Sequence, residues 1–333
     1  YKGKKYVKES YSAENKKIIE KCFDKYNVKT LKVACCSESI ATDIKKLANE
    51  KFNYLACPSA SEETDKKAIA DFIKEQREAN NILVHAVLNN YSADSEGIIN
   101  FTNSSITLKT ASSSSAIVGS ALVNIAELGR GTATLTGAEY CVDVACQIAT
   151  IGFDRSLTGL LVSDIASASE AEDVDAVTEK GGICLYYDYD LDGYVYSDGV
   201  NSKTTLKDDE KDSLKKIRVC EVFDMVRDDL KVSFKKSYRG KYGNSYNNRM
   251  LIRDSFNLYF KTLQKQGVLN PDEDCSCWLD VDKTREYLES KGIDTSDMED
   301  NEVLKRDVDN KLFLKGKIYA LDTVDELYFE INY

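Results

Sequence analysis

Apolar positions in the first hundred residues switch between helical and strand periods. Residues 12–25 carry Ile18, Ile19, Cys22 and Phe23 at helical spacing. Residues 30–36 read as a strand. Residues 39–51 read as a helix with Ile40, Ile44 and Leu47 inward, and residues 53–57 as a strand stopped by Pro58. Residues 64–79 put Ala68, Ile69, Phe72 and Ile73 on one side of a helix, and residues 82–88 form a nearly continuous apolar run, typical of a buried strand. This alternation predicts a small parallel or mixed sheet flanked by helices. After a polar turn, residues 98–101 begin a new strand. Residues 112–128 read as a small-residue helix for close packing, residues 139–149 as another helix, and residues 156–165 as extended. Residues 166–175 are acidic and lead into a short helix ending near Lys180. Residues 182–187 and 193–197 read as a hairpin.

From Val200 the pattern becomes two long amphipathic helices. Val219, Val222, Phe223, Val226, Leu230 and Phe234 share one side of the first, with Asp208, Asp209 and Glu210 at its start and Lys235 and Lys236 near its end. Ile252, Phe256, Tyr259, Phe260 and Leu263 share one side of the second, which Gly267 and Pro271 end. Residues 272–310 read as an acidic, loop-like excursion with one helix, and residues 311–320 as a strand. Residues 327–333 alternate strictly, with Leu327, Phe329 and Ile331 to one side and Tyr328, Glu330 and Asn332 to the other, which predicts a half-buried strand. The fold class is α/β (α+β). An αβ-alternating core domain spans residues 1–199, with its sheet region at 12–110 and a helical and hairpin region at 111–199. A C-terminal α+β domain spans residues 200–333, with two long helices and a terminal β-strand arm at 327–333.

Length and charge narrow the function. Two domains suit 333 residues, at roughly 100–200 residues each. A net charge of −11 argues against nucleic acid as a direct partner, because phosphate binding needs a basic surface. No apolar run of about 18 residues is present, so membrane insertion is not expected. The sequence starts Tyr1-Lys2-Gly3, without an initiator Met or a signal peptide, and reads as a fragment or trimmed chain. Eight of the ten cysteines (Cys22, Cys35, Cys36, Cys57, Cys141, Cys146, Cys184 and Cys220) lie in apolar or helical stretches and read as small buried hydrophobes of a reducing compartment. Besides the adjacent Cys35 and Cys36, only Cys275-Ser276-Cys277 is close-set.

Candidate chemistry is sparse. No Gly-x-Gly-x-x-Gly follows a predicted strand and no Gly-Lys-Ser/Thr loop occurs, while Gly129-Arg130-Gly131 follows a helix. No cofactor is expected. The single histidine, His85, lies in a predicted buried strand, so no catalytic residue is assigned. The best metal-like motif is Asp188-Tyr189-Asp190-Leu191-Asp192-Gly193, whose Asp188, Asp190 and Asp192 match the start of a calcium loop. Position twelve is Gly199 rather than Glu, and the flanks read as strands. A hairpin turn is therefore preferred. A calcium-binding surface or adhesion protein using residues 188–192 stands as the alternative function.

Several ordered motifs resemble the contractile phage tail sheath family. They are Tyr54-Leu55-Ala56-Cys57-Pro58; the turn at Asn90-Tyr91 leading to Glu96-Gly97-Ile98-Ile99-Asn100; Asn201-Ser202-x-Thr204-Thr205; Lys216-Ile217-Arg218-Val219; Leu263-x-x-Gln266-Gly267-Val268; and the stretch from Ala320 to Tyr328. The nearest match is to sheaths of Gram-positive phage-like particles, R-type bacteriocins included. The resemblance implies a structural subunit that polymerises helically around an inner tube and contracts to drive it through a target envelope, with no enzymatic step. The implied partners are other copies of the chain, the inner tail tube protein, and baseplate and tail terminator proteins. Assembly in the bacterial cytoplasm is implied, with release by lysis as part of a virion or phage-tail-like particle. An inter-subunit arm is implied at Leu327, Tyr328, Phe329, Glu330, Ile331, Asn332 and Tyr333. The sequence departs from the family in the length of residues 272–310, and the family's N-terminal arm is not found before Tyr1.

Overall fold

The computed structural model describes residues 11–109, 116–118, 121–123, 134–208, 210–325 and 328–329. Two compact units are present, Tyr1–Cys220 with Val324–Tyr333, and Glu221–Thr323. The division falls inside a helix, later in the chain than the 199/200 boundary read from the sequence.

The first unit opens with α1 (Ala13–Asp24), capped by the Ser12 hydroxyl, which accepts from the Asn15 amide. Helix α2 (Ile40–Asp43) runs directly into a 3-10 turn (Ile44–Leu47). Then come β1 (Tyr54–Ala56), α3 (Glu63–Glu78), β2 (His85–Asn89), β3 (Ile98–Phe101), β4 (Ser105–Leu108), β5 (Ala116–Val118), β6 (Ala121–Val123), β7 (Thr134–Thr136) and α4 (Gly137–Thr150). The unit continues through β8 (Leu161–Val162), β9 (Ile165–Ala168), α5 (Val174–Glu179), β10 (Gly182–Ile183), β11 (Leu185–Asp188) and β12 (Gly193–Tyr196).

Strands β1, β2, β3 and β10 form a parallel sheet in that order. Side chains alternate across it. Ala86, Leu88 and Ile98 pack with Ile69 and Ile73 of α3, whereas Val87 and Ile99 pack with Tyr140 and Val144 of α4. With helices on both faces the central strands are apolar on both sides, which is why residues 82–88 show no polar alternation. Smaller antiparallel sheets, β11-β12-β8 and β7-β4-β9, adjoin this core.

Helix α4 starts with a reciprocal cap. The Thr136 hydroxyl accepts from the Glu139 amide at 3.3 Å, and the Glu139 carboxylate accepts from the Thr136 amide at 2.7 Å. The next residue, Gly137, lies so close to the preceding loop that an added Cβ would fall 2.1 Å from the Asn103 carbonyl oxygen. In an ordinary helix Gly→Ala stabilises by about 1 kcal/mol. Here the obstacle is backbone, and Gly137→Ala is expected to destabilise by about 1–3 kcal/mol in urea unfolding. A stabilising result would show that the loop yields.

Several expectations are corrected. Residues 30–36 are not a strand but an exposed extended segment, with Val33 at 40% exposure and Cys35 and Cys36 on the surface. A strand exists only where a ladder partner accepts it, and the sheet here ends at β1. Cys57 is half-buried. The helix expected at 39–51 stops at Leu47 and closes as a 3-10 turn. Within the helix expected at 112–128, the described residues are β5 and β6, an antiparallel pair. Ile117, Val118 and Val123 carry the β-branched bias that suits strands. The rest of that segment lies outside the described residues. The acidic stretch at 166–175 begins as the end of β9.

Helix α6 (Ile217–Ser233) continues into the second unit, where a π-helical turn (Phe234–Tyr238) follows it. Asp208 and Glu210 precede it, separated from its start by a 3-10 turn (Asp212–Lys215). Helix α7 (Tyr246–Lys265) buries Ile252, Phe256, Phe260 and Leu263, the face expected from the sequence. Its Tyr259 hydroxyl donates to Asp229 of α6 at 2.6 Å. The unit is completed by β13 (Ser276–Leu279), α8 (Val281–Ser290), α9 (Asp300–Lys305) and β14 (Leu314–Lys317). The excursion expected at 272–310 is therefore largely structured, with Leu288, Val303 and Val308 forming a small core. Strand β14 is shorter than the predicted 311–320, and Ala320 is joined to Leu269 by a single bridge.

Candidate assembly surface

The segments around Asn90 and Asn201, more than a hundred residues apart, meet in the first unit. Asp94 adopts φ 48°, and one of its carboxylate oxygens accepts from the Thr204 amide at 2.7 Å and the Thr205 amide at 2.9 Å. Ser202 donates through its hydroxyl to the Ser95 carbonyl at 3.0 Å, and its amide donates to the Ile98 carbonyl at 2.8 Å. Lys203, 8% exposed, reaches Glu210 at 3.0 Å and Glu96 at 3.8 Å. Asn201 turns the chain by accepting from the Lys203 amide and donating to the Leu214 carbonyl. The polar residues of both motifs serve as a clamp that closes the core beside β3.

The Thr205 and Thr204 amides hold the Asp94 carboxyl well below the usual carboxylate range. A depressed folded-state value gives stability that is present above the unfolded value, near pH 4, and is lost as the pH falls toward the folded one. The melting temperature of the wild type is therefore expected to exceed that of Asp94→Asn most at pH 6, with the gap narrowing below pH 4. A gap independent of pH would assign the effect to shape rather than charge.

Asn103 was not singled out from the sequence, yet it ties together three chain segments. Its side-chain amide donates to the Ser169 carbonyl at 2.6 Å and the Leu185 carbonyl at 2.9 Å, and its oxygen accepts from the Leu185 amide at 2.7 Å. The side chain thus stands in for a strand beside Leu185. Asn89 similarly donates to the Phe101 and Asn103 carbonyls, both at 2.8 Å. The available signal was the polar Thr102-Asn103 directly after the apolar β3, with nothing local to satisfy.

The candidate chemistry is placed as follows. His85 is buried, stacked on Tyr54 at 5.2 Å, with Nε2 3.4 Å from Arg77. The Asp188–Asp192 loop is a hairpin turn between β11 and β12. One Asp188 oxygen accepts from the amides of Asp190 and Leu191, both at 2.9 Å, and Asp192 takes φ 49° and accepts from the Tyr187 hydroxyl. Among the described residues, no three His, Cys, Asp or Glu side chains gather as a metal site. All ten cysteines are free thiols. No helix among the described residues is long and apolar enough to cross a membrane.

Of the candidate arm, Leu327, Glu330, Ile331, Asn332 and Tyr333 lie outside the described residues. Tyr328 and Phe329 are 88% and 76% exposed and form no strand, and Val324 just before them is 94% exposed. Asp325 pairs with Lys216 at 3.1 Å. In the second unit, β13 and β14 form an antiparallel sheet of only two strands among the described residues. On the β13 side, Asn257 of α7 accepts from the Cys277 amide at 2.7 Å and donates to its carbonyl at 3.1 Å, so the β14 edge is the one that another chain could extend.

Comparisons with known proteins agree along the chain. The family profile of the phage tail sheath protein central domain matches residues 36–202, and that of the phage tail sheath C-terminal domain matches residues 209–333. The chain is 28% identical over 335 residues to the tail sheath protein of Clostridium phage phiCD119, covering 97% of this chain and 86% of that one. It resembles in fold the crystal structure of a sheath tail protein from Desulfitobacterium hafniense, with TM-score 0.57 and 21% identity over 71% of this chain and 51% of that one. The chain thus spans about half of that relative. It also resembles the helical sheath of the anti-feeding prophage in its contracted state, with TM-score 0.59 and 13% identity over 98% of this chain and 83% of that one.

Proposed function

Because this chain belongs to the phage tail sheath family, we propose that it is a structural subunit that polymerises helically around an inner tube and contracts to drive that tube through a target cell envelope. The observation that carries this reading is the ordered match of the central and C-terminal sheath domains across residues 36–333. Contacts that repeat without closing produce a helical filament. Contraction then requires two packings of the same subunits that differ by a modest free energy. No chemical step is needed.

The proposed partners are neighbouring copies, the inner tail tube protein, and baseplate and tail terminator proteins. The particle assembles in the bacterial cytoplasm and leaves by lysis. Residues 327–333 act as an arm that adds a strand to a neighbour, and the β13–β14 sheet offers an edge of the required kind. The domain division at 199/200 places this sheet and both long helices in the C-terminal part.

Negative-stain microscopy of the full-length protein, alone and with its tube protein, tests the reading. Hollow helical tubes of uniform diameter are the expected result. A full-length protein that stays monomeric at high concentration, even with the tube protein present, would overturn it.

A further inference from the structure

The parallel sheet ends at β1, but the helices that sandwich it continue past that strand. A groove of about 300 Å³ is lined by Ala145 and Cys146 of α4 and by Ile40 and Ile44 of α2 and its 3-10 turn. The rest of its lining comes from β1 and from residues 28–36. The Asn53 carbonyl accepts from the His85 amide at 2.9 Å. In a parallel ladder of that register, Ala56 turns its own amide and carbonyl away from β2. Among the described residues no backbone group bonds to them.

Residues 28–36 are pinned at both ends. The Val28 amide donates to the Cys22 carbonyl at 3.2 Å, and the Ser37 amide donates to the Asp43 carboxylate at 2.6 Å. Between these pins, residues 32–36 are exposed, and their amides and carbonyls make no hydrogen bond among the described residues. Neighbouring side chains already point opposite ways. Leu31 packs against the cluster that holds Cys146 of α4, whereas Lys32 reaches Glu50, just past the 3-10 turn, at 2.5 Å. That is the two-residue period of a strand. The connection also has the right hand. Ile40 and Ile44 pack with Ile69 and Ile73 of α3, so α2 covers the same face of the sheet as α3. A strand outside β1, joined to it through α2, would repeat the hand of β1-α3-β2.

We propose that residues 30–36 are a strap that closes into this groove as a fifth parallel strand beside β1. Leu31, Val33 and Cys35 then face α4, and Lys32, Ala34 and Cys36 face α2, with the Lys32 ammonium held at the rim by Glu50. Closing gives the outward backbone groups of Ala56 a partner and takes Val33 out of water. It also covers a sheet edge that the open strap leaves able to pair with another chain.

The test uses the full chain with its thiols reduced. Hydrogen–deuterium exchange by mass spectrometry follows the amides, and pulses of iodoacetamide with peptide mapping follow the thiols. The amides of residues 31–36 are expected to exchange about 10²-fold more slowly than in the unfolded chain, and Cys35 and Cys36 to alkylate about 10-fold more slowly. Neither rate should depend on protein concentration, which separates the strap from pairing with a second copy. Val33→Lys leaves the open form undisturbed, because Val33 is already 40% exposed there, but the closed form would have to bury an unpaired ammonium. This variant is expected to return both rates to near those of the unfolded chain while α4 and β2 stay protected. Wild-type rates within about threefold of the unfolded chain would overturn the proposal. So would slow rates that Val33→Lys leaves unchanged, or that rise on dilution.

Discussion

Replacing Asn103 with alanine is expected to destabilise the chain by about 3–5 kcal/mol. The residue is 3% exposed and makes three hydrogen bonds to backbone groups, a part-buried one to Ser169 and two buried ones to Leu185. Alanine removes all three at once, leaving the Leu185 amide and two carbonyls short of partners. An orphaned buried donor costs about 1–3 kcal/mol by itself. Asn103→Asp should fare no better. It keeps an acceptor for Leu185, but it sets a buried charge against two carbonyl oxygens. Urea unfolding of both variants checks this, with the midpoint moving and the slope unchanged. A loss under about 1 kcal/mol would mean that water replaces the side chain.

Removing residues 326–333 is expected to abolish tube formation while leaving the monomer's melting temperature within about 2 °C of wild type. Val324, Tyr328 and Phe329 are largely exposed in the single chain, so these three side chains contribute little to the subunit's own core. In an assembly, an added strand of six or so residues makes about four to six backbone bonds, each worth about 1 kcal/mol net. Losing about 4–6 kcal/mol per subunit raises the concentration needed for assembly about 10³–10⁴-fold. Sedimentation and microscopy at matched concentrations measure it. Tubes that form at the wild-type concentration would rule out the terminal arm, and a large drop in melting temperature would place the segment inside its own subunit's fold.

Both effects differ in how well the sequence foretold them. Strict alternation over residues 327–333 predicts a strand with two unlike faces, and its role as an arm is a proposal; Tyr328 and Phe329, the described residues of this stretch, form no strand in the single chain. Asn103 was not legible because the backbone groups it serves lie 66 and 82 residues away. The Asn90 and Asn201 motifs were visible as family marks. Nothing in either foretold that Asp94 would cap Thr204 and Thr205, since that contact spans 110 residues. The misread segments fail for related reasons. Residues 30–36 have a strand's composition, but no ladder receives them in this structure. Residues 116–118 and 121–123 lie in a stretch with the small residues of a packing helix, yet their backbones pair as β5 and β6.

Sequence alone determined what local periodicity can carry. The long helices α1, α3, α4, α6 and α7 follow from apolar spacing that only a helix satisfies, and the hairpin at 188–193 follows from Asp and Gly that suit its backbone angles. The motif order also pointed to the family. Tertiary structure decided which apolar runs became strands, the order β1-β2-β3-β10, and where the buried polar groups found partners. The physical reason is that a helix satisfies its own backbone within four residues. A sheet and a buried amide depend on groups far away in the chain, and their identity exists only once the chain has folded.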